Sequence, residues 1–122
     1  MRKRTAIIGA SDHPYRYSFL AANRLKSHDH PIVLLGIRKG NVASEEILDI
    51  RSRPHFEDIH TITMYVGKHH QADLEEYILS LHPKRIIFNP GSENNELSQK
   101  ARELGIETLN ACTLVMLSSD QF

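Results

Sequence analysis

Four short blocks of apolar residues dominate this chain, and each is stopped at once by a residue that turns the backbone. Thr5-Ala6-Ile7-Ile8 runs into Gly9, Ile32-Val33-Leu34-Leu35 into Gly36, Thr61 to Val66 into Gly67, and Arg85-Ile86-Ile87-Phe88 into Asn89-Pro90-Gly91. A continuous apolar run bounded by turn residues reads as a strand buried on both faces of a parallel sheet, because a half-solvated strand would alternate. The third block does alternate, and its Thr, Ile, Met, Tyr and Val are strand formers. Between the blocks the period changes to that of a helix. Phe19, Ala22 and Leu25 form one stripe, with Ser18 or a residue just before it as the N-cap. Leu74, Ile78 and Leu81 form a second, ended by Pro83. Leu97, Ala101 and Leu104 form a third, ended by Gly105 where left-handed backbone is usual. Ile106 to Leu109 adds a fifth strand and Leu114 to Leu117 a short last helix. Gly40 to His60 has no long apolar run, so Ser44-Glu45-Glu46 ahead of Ile47 and Leu48 reads as a connection with one helical turn.

Strands that alternate with helices predict an α/β fold: a single Rossmann-like three-layer domain over residues 1–122 with a five-stranded parallel sheet. A chain of 122 residues suits one core. Its 15 basic and 15 acidic side chains cancel, which speaks against sequence-blind binding to nucleic acid or anionic lipid. No apolar run approaches the ~20 residues that span a bilayer. Met1-Arg2-Lys3-Arg4 is basic, but Gly9, Ser11, Asp12 and His13 cut the following apolar run too early for a leader, so a cytoplasmic protein is expected. The lone Cys112 cannot form an internal disulfide and fits a reducing compartment.

In an open α/β sheet, ligands sit beyond the carboxyl ends of the strands. The loop Gly9-Ala10-Ser11-Asp12-His13-Pro14-Tyr15-Arg16-Tyr17-Ser18 therefore carries the chemistry. Gly9 permits a sharp turn, Ala10 and Ser11 permit close approach, and the next helix opens with unpaired N–H groups: the parts of a phosphate site. Arg16 adds a charge-assisted donor, and Ser11 and Ser18 add hydroxyls. The competing reading is a glycine that merely ends a strand and a solvated arginine. Only the first glycine of G-x-G-x-x-G is present.

The second strand ends Gly36-Ile37-Arg38-Lys39, two cations where an NAD site needs a carboxylate for its ribose. That pair suits an adenosine bearing an extra phosphate, as in NADP or coenzyme A, and equally suits a solvated loop. Val66-Gly67-Lys68 and Asn89-Pro90-Gly91 close the third and fourth strands, so they lie on the same expected edge. Asn89 could bond a ligand amide, and Ser92 is a candidate N-cap. His28-Asp29-His30 and His69-His70 lack the spacing of a metal site. Cys112 has no base beside it and reads as a structural thiol. A phosphoacceptor aspartate is missing from the end of the third strand, which argues against a receiver domain.

These residues resemble the small stand-alone CoA-binding domain proteins, similar in fold to the CoA-binding domain of the succinyl-CoA synthetase α subunit. Ala6-Ile7-Ile8-Gly9-Ala10-Ser11 is similar to that family's opening strand and Gly-Ala-Ser loop, and Arg16-Tyr17-Ser18 to its Arg-x-Ser helix entry. Glu46-Ile47-Leu48 followed by Arg53-Pro54-His55-Phe56-Glu57-Asp58-Ile59 is similar to its short strand and Pro-containing turn. Ala101 to Ile106 and Cys112 fit its last helix and its ending. Gly36, Ile37, Gly67, Asn89, Ala111 and Thr113 depart from the pattern. The resemblance implies a module for coenzyme A or acyl-CoA with no catalysis of its own, a small-molecule nucleotide ligand as its partner, and neither nucleic acid nor membrane. An NADP-type or other nucleotide-binding regulatory domain, and an interaction module that has lost its ligand, are the alternatives. The oligomeric state is left open.

Overall fold

The computed structural model describes residues 2–122. Seven strands form one sheet: β1 (Thr5–Ile8), β2 (Ile32–Gly36), β3 (Asn41–Val42), β4 (Glu45–Asp49), β5 (Thr61–Met64), β6 (Arg85–Phe88) and β7 (Glu107–Asn110), in the spatial order β3-β4-β2-β1-β5-β6-β7. All neighbours are parallel except β3 and β4, which form a hairpin. Helices α1 (Tyr17–Ser27), α2 (Glu75–Ser80), α3 (Asn95–Glu103) and α4 (Thr113–Ser118) accompany the sheet, with single 3-10 turns at Ile50–Ser52, Lys68–His70 and Ala72–Leu74.

Strand alternation divides the core in two. Ile7, Ile32, Leu34 and Ile47 point to one face, where Ala22 and Leu25 of α1 and Leu117 of α4 meet them. Ala6, Ile8, Val33, Leu35, Ile62, Met64, Ile86 and Phe88 point to the other, under Tyr77 and Ile78 of α2 and Leu97 and Ala101 of α3. Both faces being covered is why the central runs are apolar throughout. The order of strands reverses at β1: the chain leaves it first toward β2 and β4, then returns to lay β5, β6 and β7 on the other side. The crevice between the ends of β1 and β5 is thus the topological switch point.

Two expectations need correction. The sheet has seven strands, not five, because the first part of the segment read as a connection with a helical turn is the β3–β4 hairpin; β4 contains Glu46-Ile47-Leu48, the short strand that the resemblance implied, and a single 3-10 turn follows at Ile50–Ser52. The hairpin's two-residue turn, Ala43-Ser44, has positive φ at both positions (52° and 66°), the type I′ geometry that Asn-Gly normally announces. With Ala and Ser there the signal is silent. β4, which lies between β3 and β2, buries only Ile47 of its five residues, so it lacks an apolar run. The third strand also stops at Met64, which leaves Val66 and Gly67 in the loop beyond it. At Gly105 the reading holds: φ is +80°, and Ile106 N–H reaches back to Ala101 O at 3.0 Å.

Candidate functional site

The ends of β1, β2, β5 and β6 stand in register, Ile8 beside Leu35 and Met64, and Met64 beside Phe88, so Gly9, Gly36, Gly67 and Asn89 share one edge. Gly9 turns with φ +93°, and both its N–H and that of Ala10 donate to Leu35 O, at 2.9 and 3.0 Å. This folds the loop down over β2. A Cβ on Gly36 would lie 2.5 Å from Ala10 O, and one on Gly9 2.9 Å from Val66 Cγ1. The loop is wedged between the ends of β2 and β5, and two glycines are what let it in. Beyond it, Ser11 Oγ accepts from His13 N–H at 3.1 Å, and Arg16 N–H donates to His13 O at 3.0 Å. Arg16, extended at φ −82° and ψ 140°, is the N-cap of α1 in place of Ser18, which is buried. No side-chain oxygen caps this helix. Its first-turn N–H groups and dipole therefore favour an external anion.

The cations flanking this point are uncommitted: among the described residues, Arg16, Arg38 and Lys39 are exposed and form no ion pair. Tyr17 and Ile37 lie beside them in sequence, 70% and 66% exposed. Other predicted residues are already engaged. Lys68 pairs with Glu96 of α3 at 3.1 Å. Val66 O accepts from Gln71 Nε2 at 2.9 Å. Pro90 and Gly91 are exposed, and Gly91 N–H is bound by the Glu93 carboxylate at 2.8 Å. Asn89 is buried, and its amide is spent within the fold: Nδ2 donates to Thr63 Oγ1 (2.7 Å) and Met64 O (2.9 Å), while Oδ1 accepts from Thr113 N–H (2.9 Å). It ties β5, β6 and α4 together, with both amide protons spent within the fold. Gly67 has open space, the nearest atom to a Cβ being Gly91 O at 3.9 Å.

The sequence matches the family described as CoA binding domain over residues 3–118. The chain belongs to the CoA-binding domain family. A crystal structure of an uncharacterized protein is 47% identical, covers 100% of this chain and 99% of its own, and superposes with a TM-score of 0.96. A Thermus thermophilus protein (18% identity, 99% and 91% coverage) and a hypothetical protein from Pyrococcus horikoshii OT3 (21%, 97% and 83%) each superpose with a TM-score of 0.82 and share the fold. No curated protein matches.

The CoA-binding domain carries residues at this edge that the sequence alone did not single out. Asp49 ends β4 directly beside Gly36, so a carboxylate does stand next to the second strand. Arg51 grips it, Nε to Oδ1 at 2.9 Å and Nη2 to Oδ2 at 3.2 Å, and this pairing holds the Asp49 carboxyl below its ordinary range. Gln71, fully buried, donates to Val66 O and Ser92 O and accepts from Asn94, clamping the loops after β5 and β6 to one another. Asn94, not Ser92, caps α3, accepting from Leu97 N–H at 3.1 Å. That position is legible in Asn94-Asn95-Glu96-Leu97, whereas Gln71 has no local signature. The Tyr65 hydroxyl is buried near Thr63 and Thr113 without reaching hydrogen-bond geometry, and burial pushes its pKa up to about 12. Cys112, half-buried, precedes α4. Among the described residues no cluster of His, Cys, Asp or Glu is arranged to hold a metal, and no helix is long and apolar enough to cross a membrane. An open cleft lies at the opposite edge of the sheet. Topology, not cavity size, singles out the edge described here, since Gly9, the start of α1 and the free cations meet there.

Proposed function

We propose that this domain binds coenzyme A or an acyl-CoA across the carboxyl edge of β1 and β2, and that it has no catalysis of its own. The observation that carries the reading is the Gly9–Ser11 loop, seated against Gly36 in front of a helix without a side-chain cap and beside the unpaired Arg16. A diphosphate fits that combination. The first-turn N–H groups and the guanidinium supply donors, and the small residues let oxygen atoms approach the backbone. Arg38 and Lys39 follow β2, where the ribose and its 3′-phosphate would lie, and Tyr17 and Ile37 offer apolar surface for the adenine. The reading as a binding module rests on the sequence, in which a nucleophile, base and orienting group cannot be placed together.

The Asp49 carboxylate favours a second reading, a dinucleotide whose ribose hydroxyls it would accept. Against that, both of its oxygens are held by Arg51. Native mass spectrometry of the purified protein tests the first reading directly: a retained mass of CoA or an acyl-CoA is expected. Thermal shift then separates the two, because ligand at ~100 times Kd stabilises by about 2.7 kcal/mol. CoA is expected to raise the melting temperature well above the effect of NADP, NAD or ATP. Equal shifts with NADP would favour the dinucleotide, and no shift at millimolar nucleotide would leave an interaction module.

A further inference from the structure

The opposite edge of the sheet holds a cleft of about 730 Å3, bounded by the residues that lead into the strands: Arg4 before β1, Pro31 before β2, His60 before β5 and Lys84 before β6. Its volume falls within the ~300–1,000 Å3 of small-molecule sites. Three cations line it, Arg2, Arg4 and Lys84, and among the described residues none has a carboxylate within ion-pair distance. Two carboxylates share the cleft: Glu57 faces His55 at 3.8 Å, and Asp58 forms no ion pair among the described residues. The two guanidinium groups are positioned without being neutralised. Arg2 Nε donates to Asp29 O at 3.1 Å, while Arg4 Nη1 donates to Glu57 O at 3.0 Å and its guanidinium lies 5.5 Å from the centre of the Phe56 ring. A carbonyl orients an arginine but leaves its charge for another partner.

Two further features belong to this cleft. His82 (φ 48°) and Asp58 (φ 62°) both adopt left-handed backbone, which a residue with a Cβ adopts at a cost of about 1 kcal/mol or more. His82 follows the C-cap of α2, where glycine would remove that cost, yet a histidine stands there and lines the cleft. Pro31, Phe56 and Leu81 add apolar wall. His60, half-buried, pairs with Thr61 Oγ1 at 2.7 Å; its proton affinity is lowered by burial and by Arg85, Lys3 and Lys84, and only Glu107 opposes them.

We propose that this cleft is a second ligand site, independent of the nucleotide edge, and that it takes a small organic phosphate. Arg4 and Lys84 meet the phosphoryl oxygens, and the apolar body lies against Phe56 and Leu81. Phenyl phosphate is a suitable probe, with inorganic phosphate for comparison. In an amide NMR titration, phenyl phosphate is expected to produce saturable shifts at Glu57, Asp58 and Lys84, and to bind several-fold more tightly than inorganic phosphate. Lys84→Gln, which removes an exposed side chain with no hydrogen bond, should weaken it about tenfold, as should Arg4→Gln. Arg16→Ala, at the far edge, should leave the titration unchanged, and saturating CoA should not displace the probe. Any of four results overturns the proposal: no saturable shift, shifts confined to residues 9–18, equal affinity in Lys84→Gln, or displacement by CoA. Because the Arg4 and Lys84 variants and the shifts read at Glu57, Asp58 and Lys84 all lie away from the nucleotide edge, failure of the CoA reading would leave this titration intact.

Discussion

Gly36→Ala sharply tests whether the loop over β2 is held by a steric fit. The new Cβ would sit 2.5 Å from Ala10 O and 3.1 Å from Ile47 Cγ2. The first of these is backbone and cannot rotate aside. Relief requires the loop to lift from β2, which loosens the two hydrogen bonds from Gly9 and Ala10 N–H to Leu35 O. At roughly 0.5–1.5 kcal/mol each these amount to about 1–3 kcal/mol, the same range as overpacking a core. Ordinary backbone dihedrals at Gly36 add no strain, and alanine would by itself restrict the unfolded chain and stabilise slightly. The steric effect wins, so a net loss of about 1–3 kcal/mol is expected, or about 3–15 °C in Tm for a chain of this size. Gly67→Ala is the matched control. It lies on the same edge with its nearest neighbour at 3.9 Å and φ −67°, so it should be neutral or gain up to about 1 kcal/mol. Urea unfolding of the three proteins, with m-values compared, reads both effects. A Gly36→Ala protein as stable as the parent, or one no less stable than Gly67→Ala, would refute the argument.

Three other outcomes follow from the same geometry. Arg16→Ala should weaken CoA and 3′-dephospho-CoA about equally, while Arg38→Ala with Lys39→Ala should weaken CoA alone, each by about 10–100-fold in calorimetry at one salt concentration; equal losses for both ligands in the double variant would return that pair to a solvated loop. Asn89→Ala leaves Thr113 N–H and Met64 O buried without partners and should cost about 2–4 kcal/mol in urea unfolding; a loss below 1 kcal/mol would mean that the amide is not a tie between the strands. His30 and His60 have their pKa lowered, mainly by burial, with neighbouring cations adding to it. Their unfolded forms therefore take up protons first, and stability should fall as pH drops below about 6.5 toward the folded values. His30→Gln with His60→Gln should flatten the urea midpoint between pH 7.5 and 5.5; an unchanged slope would assign the effect to other groups.

Most of the layered core was legible, because its signals are local. Ile7-Ile8, Val33-Leu34 and Ile86-Ile87 announce strands covered on both faces, and Leu97 with Ala101 marks a helix facing the sheet. The edge itself was also legible, since parallel strands in register bring every strand-ending turn to one side. The hairpin was not legible from periodicity, although the resemblance implied a short strand at Glu46-Ile47-Leu48, within β4. Its turn residues, Ala43 and Ser44, hold positive φ without the glycine or asparagine that would signal it, and β4, flanked on its outer side only by the two-residue β3, buries Ile47 alone.

At the candidate site the division is different. The sequence by itself determined that Gly9, Arg16, Arg38 and Lys39 stand at the ends of buried strands and at a helix entry, because residue order and periodicity place them there. Only the tertiary structure decided what each could still do. Gly36 is a glycine because a carbonyl from a loop 26 positions earlier presses on it; Asn89 is spent on partners from β5 and α4; Lys68 is claimed by α3; and Asp49 arrives beside β2 from a strand that periodicity does not show. A hydrogen bond or a close approach depends on two residues at once. Where the second lies far along the chain, only folding brings the pair into contact.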